Sequence, residues 1–342
     1  MNGFLIPILF SLAVGSTTVS VSNSESLRGQ YDQRLISDII YHVFTDSYDS
    51  ALSLCDSIIR ANPGDPSSHF FRAYTLMTVM TEEHDNFYQE AFFGSLDSVE
   101  SLVNALIDTC PTESKAWCYW YLGNVWAHRS LWKARFGSAA SAYKLASKAR
   151  KYYEASLEID SSLYDNYAGL GAVHYWKSAK GGLFRTLGFI RDEREKGIAE
   201  MKIAADSSVL SRETARKTLV TILADFKQYD SAIVYAENML AQYPNGRSFL
   251  WGISWSHYHK GDYSQSCEYF KKLRLILAEN PGNYYKLIAC DAQITRCLEN
   301  LERIDEAREW ATQAMSYVAR ISDEVREEQK DNLNYLGKMI NR

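Results

Sequence analysis

The tract YDSALSLCDSIIRANP, residues 48–63, returns twice further along the chain, as YDSAIVYAENMLAQYP at 229–244 and within GDYSQSCEYFKKLRLILAENP at 261–281. Each copy places an aromatic residue first, a small residue three positions later, and apolar or small residues four and seven beyond that. A proline closes the copy. The spacing is that of one buried stripe on a helix. The small residue (Ala51, Ala232, Ser266) lets a neighbouring helix approach closely, and the proline stops the helix because it cannot continue the hydrogen-bond ladder.

A second pattern completes the unit. An aromatic residue, Leu-Gly three and four later, then another ring appears as Tyr119, Leu122, Gly123 and Trp126, and returns as Tyr167, Leu170, Gly171 and His174. Together the two patterns resemble the first and second helices of a tetratricopeptide repeat (TPR). Aligning the small position of every second helix gives Ala51, Val99, Ala149, Gly197, Ala232, Ser266 and Ala307, at spacings of 48, 50, 48, 35, 34 and 41. The late spacings fit a period of about 34 residues and the early ones exceed it by about 14. The surplus falls inside the hairpins, since Gly123 to Ala149 and Gly171 to Gly197 each span 26 residues. Divided between two helices, it lengthens each by roughly 10 Å. Hairpins two, three and four, about residues 66–205, are therefore expected to project beyond the standard-length ones at about 211–320. The expected fold is all-α, a right-handed α-α superhelix of about seven hairpins over residues 23–342, with an amphipathic cap at 322–341.

One segment supports a narrower resemblance. YAGLGAVHYWKSAKGGLFRTLGFIRDEREKGIAEMKIAAD, residues 167–206, is similar to part of the tetratricopeptide-repeat protein 39 and inclusion-body-clearance family. There a glycine-rich helix, an apolar stretch and an R-E-x-G-[LI] helix start follow in the same order, matched here by Arg194, Glu195, Gly197 and Ile198. The resemblance covers about forty residues and implies a helical-repeat fold with a non-enzymatic role.

Composition narrows the function. The chain has 342 residues and a net charge of −5, without the basic field that nucleic-acid binding shows. The N-terminal MNGFLIPILFSLAVGSTTVS carries an apolar run, Phe4 to Val14, followed by small residues. This is the pattern of a cleaved export signal over residues 1–22, and the run is too short to span a bilayer. An uncleaved anchor or an ordinary helix is the alternative reading, and the n-region lacks Lys and Arg. Export would place the protein in the periplasm or with a cell envelope, with secretion as the further alternative. Six cysteines form no CxxC. Cys290 and Cys297, two helical turns apart, lie beyond disulfide reach, whereas an exported chain could pair Cys110 with Cys118 across a turn. Buried free thiols are the other reading.

No HExxH, Walker-type loop or GxSxG occurs. His257 and His259 point to different sides of one helix and cannot chelate together. Neither catalysis, nor a metal, nor a cofactor is expected.

The candidate site is the concave face. In WCYWYLGNVWAHRSLW, residues 117–132, the repeat arithmetic assigns Tyr119, Leu122 and Trp126 to the core. It turns Trp120, Asn124 and His128 into the groove, with Trp117 at its edge. The same arithmetic adds Phe71, Tyr175, Trp176, Trp251, Trp255 and Tyr258. Such rings suit an extended peptide or a partner helix, giving a scaffold that binds a protein. They also suit a small apolar or carbohydrate ligand in a closed pocket near Trp120, Tyr175 and Trp176. Burial of the same rings as ordinary core is the competing account. A second surface, the projecting edge, mixes Arg129, Lys133, Lys180 and Arg185 with Trp132 and Phe184, a composition able to touch an anionic membrane surface or a partner helix.

Overall fold

The computed structural model of the chain describes residues 33–181, 191–279 and 282–342, which carry sixteen α-helices, one 3-10 turn and no strand. Residues 1–22, read above as an export signal, and Phe184, Arg185 and Pro281 lie outside the described residues. Fourteen helices pair into seven antiparallel hairpins. They are α1–α2 (Gln33–Phe44, Tyr48–Ala61), α3–α4 (Pro66–Glu83, Gln89–Leu106) and α5–α6 (Thr112–Phe136, Ala139–Ile159). Then come α7–α8 (Asn166–Ala179, Arg194–Ser207), α9–α10 (Arg212–Asp225, Tyr229–Gln242), α11–α12 (Arg247–Lys260, Tyr263–Glu279) and α13–α14 (Tyr284–Asn300, Ile304–Met315). The cap is two helices, α15 (Asp323–Glu328) and α16 (Lys330–Ile340), separated at Gln329.

All seven aligned small positions, Ala51 through Ala307, are buried. The hairpin interface is tight because nothing larger stands there. In the third hairpin the Tyr153 ring of α6 lies against two glycines, Gly123 of α5 and Gly169 of α7, where a methyl would overlap it. Helix starts are set by local chemistry. The Asp65 carboxylate accepts the Ser67 N–H at 3.0 Å ahead of Pro66, the first residue of α3. Asp165 accepts the N–H groups of Val209, Leu210 and Ser211 at 2.7–2.9 Å, so a residue of the fourth hairpin caps the approach to α9.

Helix length differs between the hairpins. α5 has 25 residues and α6 has 21, against 14 in α10 and α11. At the helical rise α5 is about 37 Å long and α11 about 21 Å. α3 and α4 have 18 residues each. The fourth hairpin corrects the expectation: α7 and α8 have 14 residues each, and its surplus falls between Ala179 and Arg194 rather than in longer helices.

The array also curls until distant hairpins meet. Phe44, at the end of α1, packs its ring 5.2 Å from Tyr243 and 5.5 Å from Phe249, joining the first hairpin to the fifth and sixth in one apolar core. Beside it the Arg247 guanidinium pairs with Asp46 at 3.1 Å and donates to the Tyr48 hydroxyl at 3.3 Å. The end of α3 reaches the start of α13. Lys286 Nζ donates to Glu82 at 3.1 Å and the Asn283 amide donates to Glu83 at 2.7 Å. The His84 ring stacks on Tyr285 with centroids 3.6 Å apart. Burial, together with Lys286 and Arg135, drives His84 down to about 3, so it is neutral at physiological pH.

Candidate binding surface

α5 is the longest helix and carries the densest aromatic run. Its Trp120 and Tyr121 are buried against Phe70 of α3, with Trp120 5.3 Å from Phe70, 5.4 Å from Trp117 and 4.8 Å from Tyr121. Phe71 is buried next to Phe70, and His128 sets its ring edge-on to Phe70 at 5.4 Å. Residues expected to line a groove, namely Phe71, Trp117 and Trp120, are therefore core. The physical reason is that neighbouring first helices, α3 and α5, pack directly on each other along the face that the repeat arithmetic leaves open.

The complementary positions shift outward. Tyr119 and Trp126, expected inside, are half-exposed. Tyr119 lies 6.2 Å from Tyr152, and Trp126 carries Lys148 Nζ 3.2 Å over one part of its ring and Arg129 at 4.6 Å. Asn124 is half-buried and donates to the Trp120 carbonyl, while His128 Nδ1 contacts the Asn124 carbonyl, each at 2.9 Å. Both side chains are engaged with their own helix. Burial pushes His128 below its ordinary value.

The fourth hairpin closes the second proposed pocket. Tyr175 is fully buried and donates its hydroxyl to Asp225 of α9 at 2.6 Å. Burial first, and then that bond and charge, push its pKa above the ordinary range. With Trp120 and Tyr175 both packed into their neighbours, a closed ligand pocket centred on them and Trp176 loses two of its three walls. Trp176 is half-exposed, 5.1 Å from Tyr175 and beneath Lys180 Nζ. His174, buried beside it, holds Glu200 through Nδ1 at 2.5 Å and meets Lys196 through Nε2 at 3.4 Å.

Part of the projecting edge is similarly absorbed, while Lys180 stays exposed. Trp132 is buried 5.2 Å from Phe93 of α4, with Lys133 Nζ over its ring. Arg129 is held by Asp97 at 2.6 Å and Glu100 at 2.7 Å. The anchor and the cation nominated for membrane contact are thus committed to joining the second and third hairpins. Among the described residues no helix is long and apolar enough to cross a membrane.

What stays open is the sixth hairpin. Trp251, Trp255 and Tyr258 of α11 are all half-buried, each with part of its ring reaching solvent. Trp251 leans on Phe270 of α12 at 5.4 Å. Trp255 and Tyr258 stand nearly parallel, 6.4 Å apart and 25° between planes, with His259 4.4 Å from Trp255. Tyr229 of α10 stacks on His259 at 5.8 Å, and Tyr263 of α12 meets Tyr258 at 5.4 Å. Five rings contributed by three helices thus form one strip. Tyr229, His259 and Tyr263 were not expected there. His259 stands four residues after Trp255, so the helical period was the signal for it. His257 turns the other way, toward Asp262 and Tyr269, as expected. Partial burial and Lys227 push His259 below its ordinary value. No group of three or more His, Cys, Asp or Glu able to hold a metal occurs among the described residues.

The fold is a TPR-like all-α solenoid, and comparison with solved structures shows the same. A chain of the APC/C hetero-tetramer Cut9–Hcn1 aligns with a TM-score of 0.52 at 16% identity, over 86% of this chain and 47% of that one. This chain therefore spans about half the length of that neighbour, and at such identity the likeness is one of fold. The C-terminal part of a TPR repeat-containing protein from Cytophaga hutchinsonii aligns over 85% of this chain and 98% of its own at 15% identity, with a TM-score of 0.45. TTC0263, a TPR protein of Thermus thermophilus, aligns over 66% and 97% at 16% identity, with a TM-score of 0.40. No family model and no curated protein sequence matches the chain.

Proposed function

We propose that this chain is an exported, non-enzymatic helical-repeat scaffold of a cell envelope that holds a protein or peptide partner on the aromatic strip of α11. The observation carrying this reading is the strip itself. Trp255 and Tyr258 present nearly parallel, half-buried rings flanked by Tyr229, His259 and Tyr263, while most of the other candidate rings are wholly consumed in packing. Rings of this kind give large contact area at low entropic cost, which suits an extended segment laid across them. The TPR-like fold supports a scaffold, and the likeness of residues 167–206 to the tetratricopeptide-repeat protein 39 and inclusion-body-clearance family points away from catalysis. The apolar run Phe4–Val14 supports export.

The test is affinity capture from the envelope fraction with protein lacking residues 1–22, followed by calorimetric titration of the captured partner. A Trp255→Ala, Tyr258→Ala double variant is the control. A partner that binds the wild type and loses affinity at least tenfold for the folded double variant supports the reading. Equal binding by both removes α11 from the interface.

A further inference from the structure

We propose that Cys110 and Cys118 form a reversible intramolecular disulfide, a modification site that ties the turn before α5 to the second turn of that helix. Their sulfurs stand 3.9 Å apart as free thiols. A disulfide needs about 2.05 Å, so the two sulfurs must approach by roughly a further 2 Å. Cys110 directly precedes Pro111, ahead of Thr112, the first residue of α5.

The other thiols are disposed differently. Cys290 donates to the Phe270 carbonyl at 3.3 Å and Cys297 to the Ser266 hydroxyl at 3.2 Å, whereas Cys110 has only a longer contact with the Ile107 carbonyl, at 3.8 Å, about as far as its contact with Cys118. Cys110 and Cys118 face one another.

Exposure sets the order of events. Cys110 lies at the rim, 9% exposed, and Cys118 is sealed beneath it at 0%. With a small disulfide such as oxidised glutathione as the oxidant, the Cys110 thiolate attacks one glutathione sulfur, giving a mixed disulfide and expelling one glutathione thiolate. The Cys118 thiolate then attacks the Cys110 sulfur and expels the second. Two protein thiols are oxidised, one glutathione disulfide is reduced to two thiols, and the two protein protons go to the leaving thiolates. Burial and the neighbouring Cys110 push the Cys118 thiol up to about 12, so the second step speeds up as pH rises.

A cut after Lys115 separates the two cysteines, which makes the test direct. Trypsin yields residues 73–115 with Cys110 and residues 116–129 with Cys118, since no Lys or Arg intervenes in either. The full chain is purified reduced, equilibrated in glutathione buffers of rising oxidised fraction, alkylated and digested. The expected result is a linked pair of these two peptides, lighter by two hydrogens, released by reductant and missing from a Cys110→Ser variant that keeps its helical circular dichroism. Two separate alkylated peptides at excess oxidised glutathione would overturn the proposal. So would glutathione held on Cys110 without the link, or a link from either residue to another cysteine. Should the variant fail to fold, the wild-type peptides alone decide.

Discussion

Gly171 of α7 and Gly197 of α8 touch backbone to backbone: a methyl on Gly197 would sit 2.6 Å from the Gly171 carbonyl oxygen and 2.7 Å from the Tyr175 nitrogen. A methyl on Gly171 would sit 2.7 Å from the Gly197 oxygen. Side chains can move aside, but a helix backbone cannot without separating the hairpin. Gly197→Ala is therefore expected to lower stability by about 1–3 kcal/mol, although alanine is the better helix former. Gly94, in the middle of α4 with open space beside it, should respond in the opposite sense, Gly94→Ala gaining about 0.5–1 kcal/mol. Urea melts of the two variants check the pair, and like signs would mean that the close approach is not rigid.

Trp120 and Trp255 differ in burial, and that difference predicts which of them can report on binding. Trp120 is fully enclosed by rings, so Trp120→Ala should cost about 3–5 kcal/mol. Trp255 is half-buried, and Trp255→Ala should cost less. Denaturant midpoints with unchanged m-values would establish the contrast.

Glu82 gives the closing contact a pH dependence. Burial is the largest influence and opposes its ionisation, yet Lys286, Lys217 and Arg247 together overcome it and hold the carboxyl at about 2, below its ordinary 4.5. A depressed carboxyl adds stability above the unfolded value and loses it as pH falls through the folded one. Thermal midpoints should thus decline between about pH 4.5 and pH 2, and Glu82→Gln should flatten that decline while lowering the midpoint at neutral pH. A variant with the wild-type acid slope would assign the dependence to other carboxylates.

The buried pair Arg274–Asp291, 2.6 Å apart with the guanidinium also donating to Tyr317, joins α12 to α13. Removing one partner strands the other. Asp291→Leu should cost about 3–5 kcal/mol, while Arg274→Met combined with Asp291→Leu should recover most of it, as apolar replacements of buried pairs do. A double-mutant cycle by chemical denaturation measures the coupling.

The hairpin register was legible because it depends on local volume. A residue small enough to admit a neighbouring helix recurs in each second helix, and Ala51, Val99, Ala149, Gly197, Ala232, Ser266 and Ala307 all prove buried. The groove was less legible. Periodicity identifies an apolar helix face but not the element that covers it, and the meeting of Phe70 with Trp120 depends on how two first helices lean together. Spacing likewise gave the fourth hairpin its surplus residues without saying that they would fall between its helices rather than within them. Trp255 stays half-buried on the helix face that the repeat dictates. The strip around it draws Tyr229 and Tyr263 from two further helices, which no single-helix pattern encodes.

The meeting of Asp46 with Arg247 changes how this solenoid comes apart. Arrays held only by adjacent repeats unravel from their ends and fold by propagation. Here the Arg247 N–H reaches Asp46 across 201 residues of chain, and Phe44 is locked to Tyr243 and Phe249, so the first hairpin cannot fray without opening the middle of the molecule. Cooperativity follows: unfolding should be concerted from the first hairpin through the sixth. Refolding should be slow for an all-helical chain, because contacts of such long sequence separation form only after a large loop has closed.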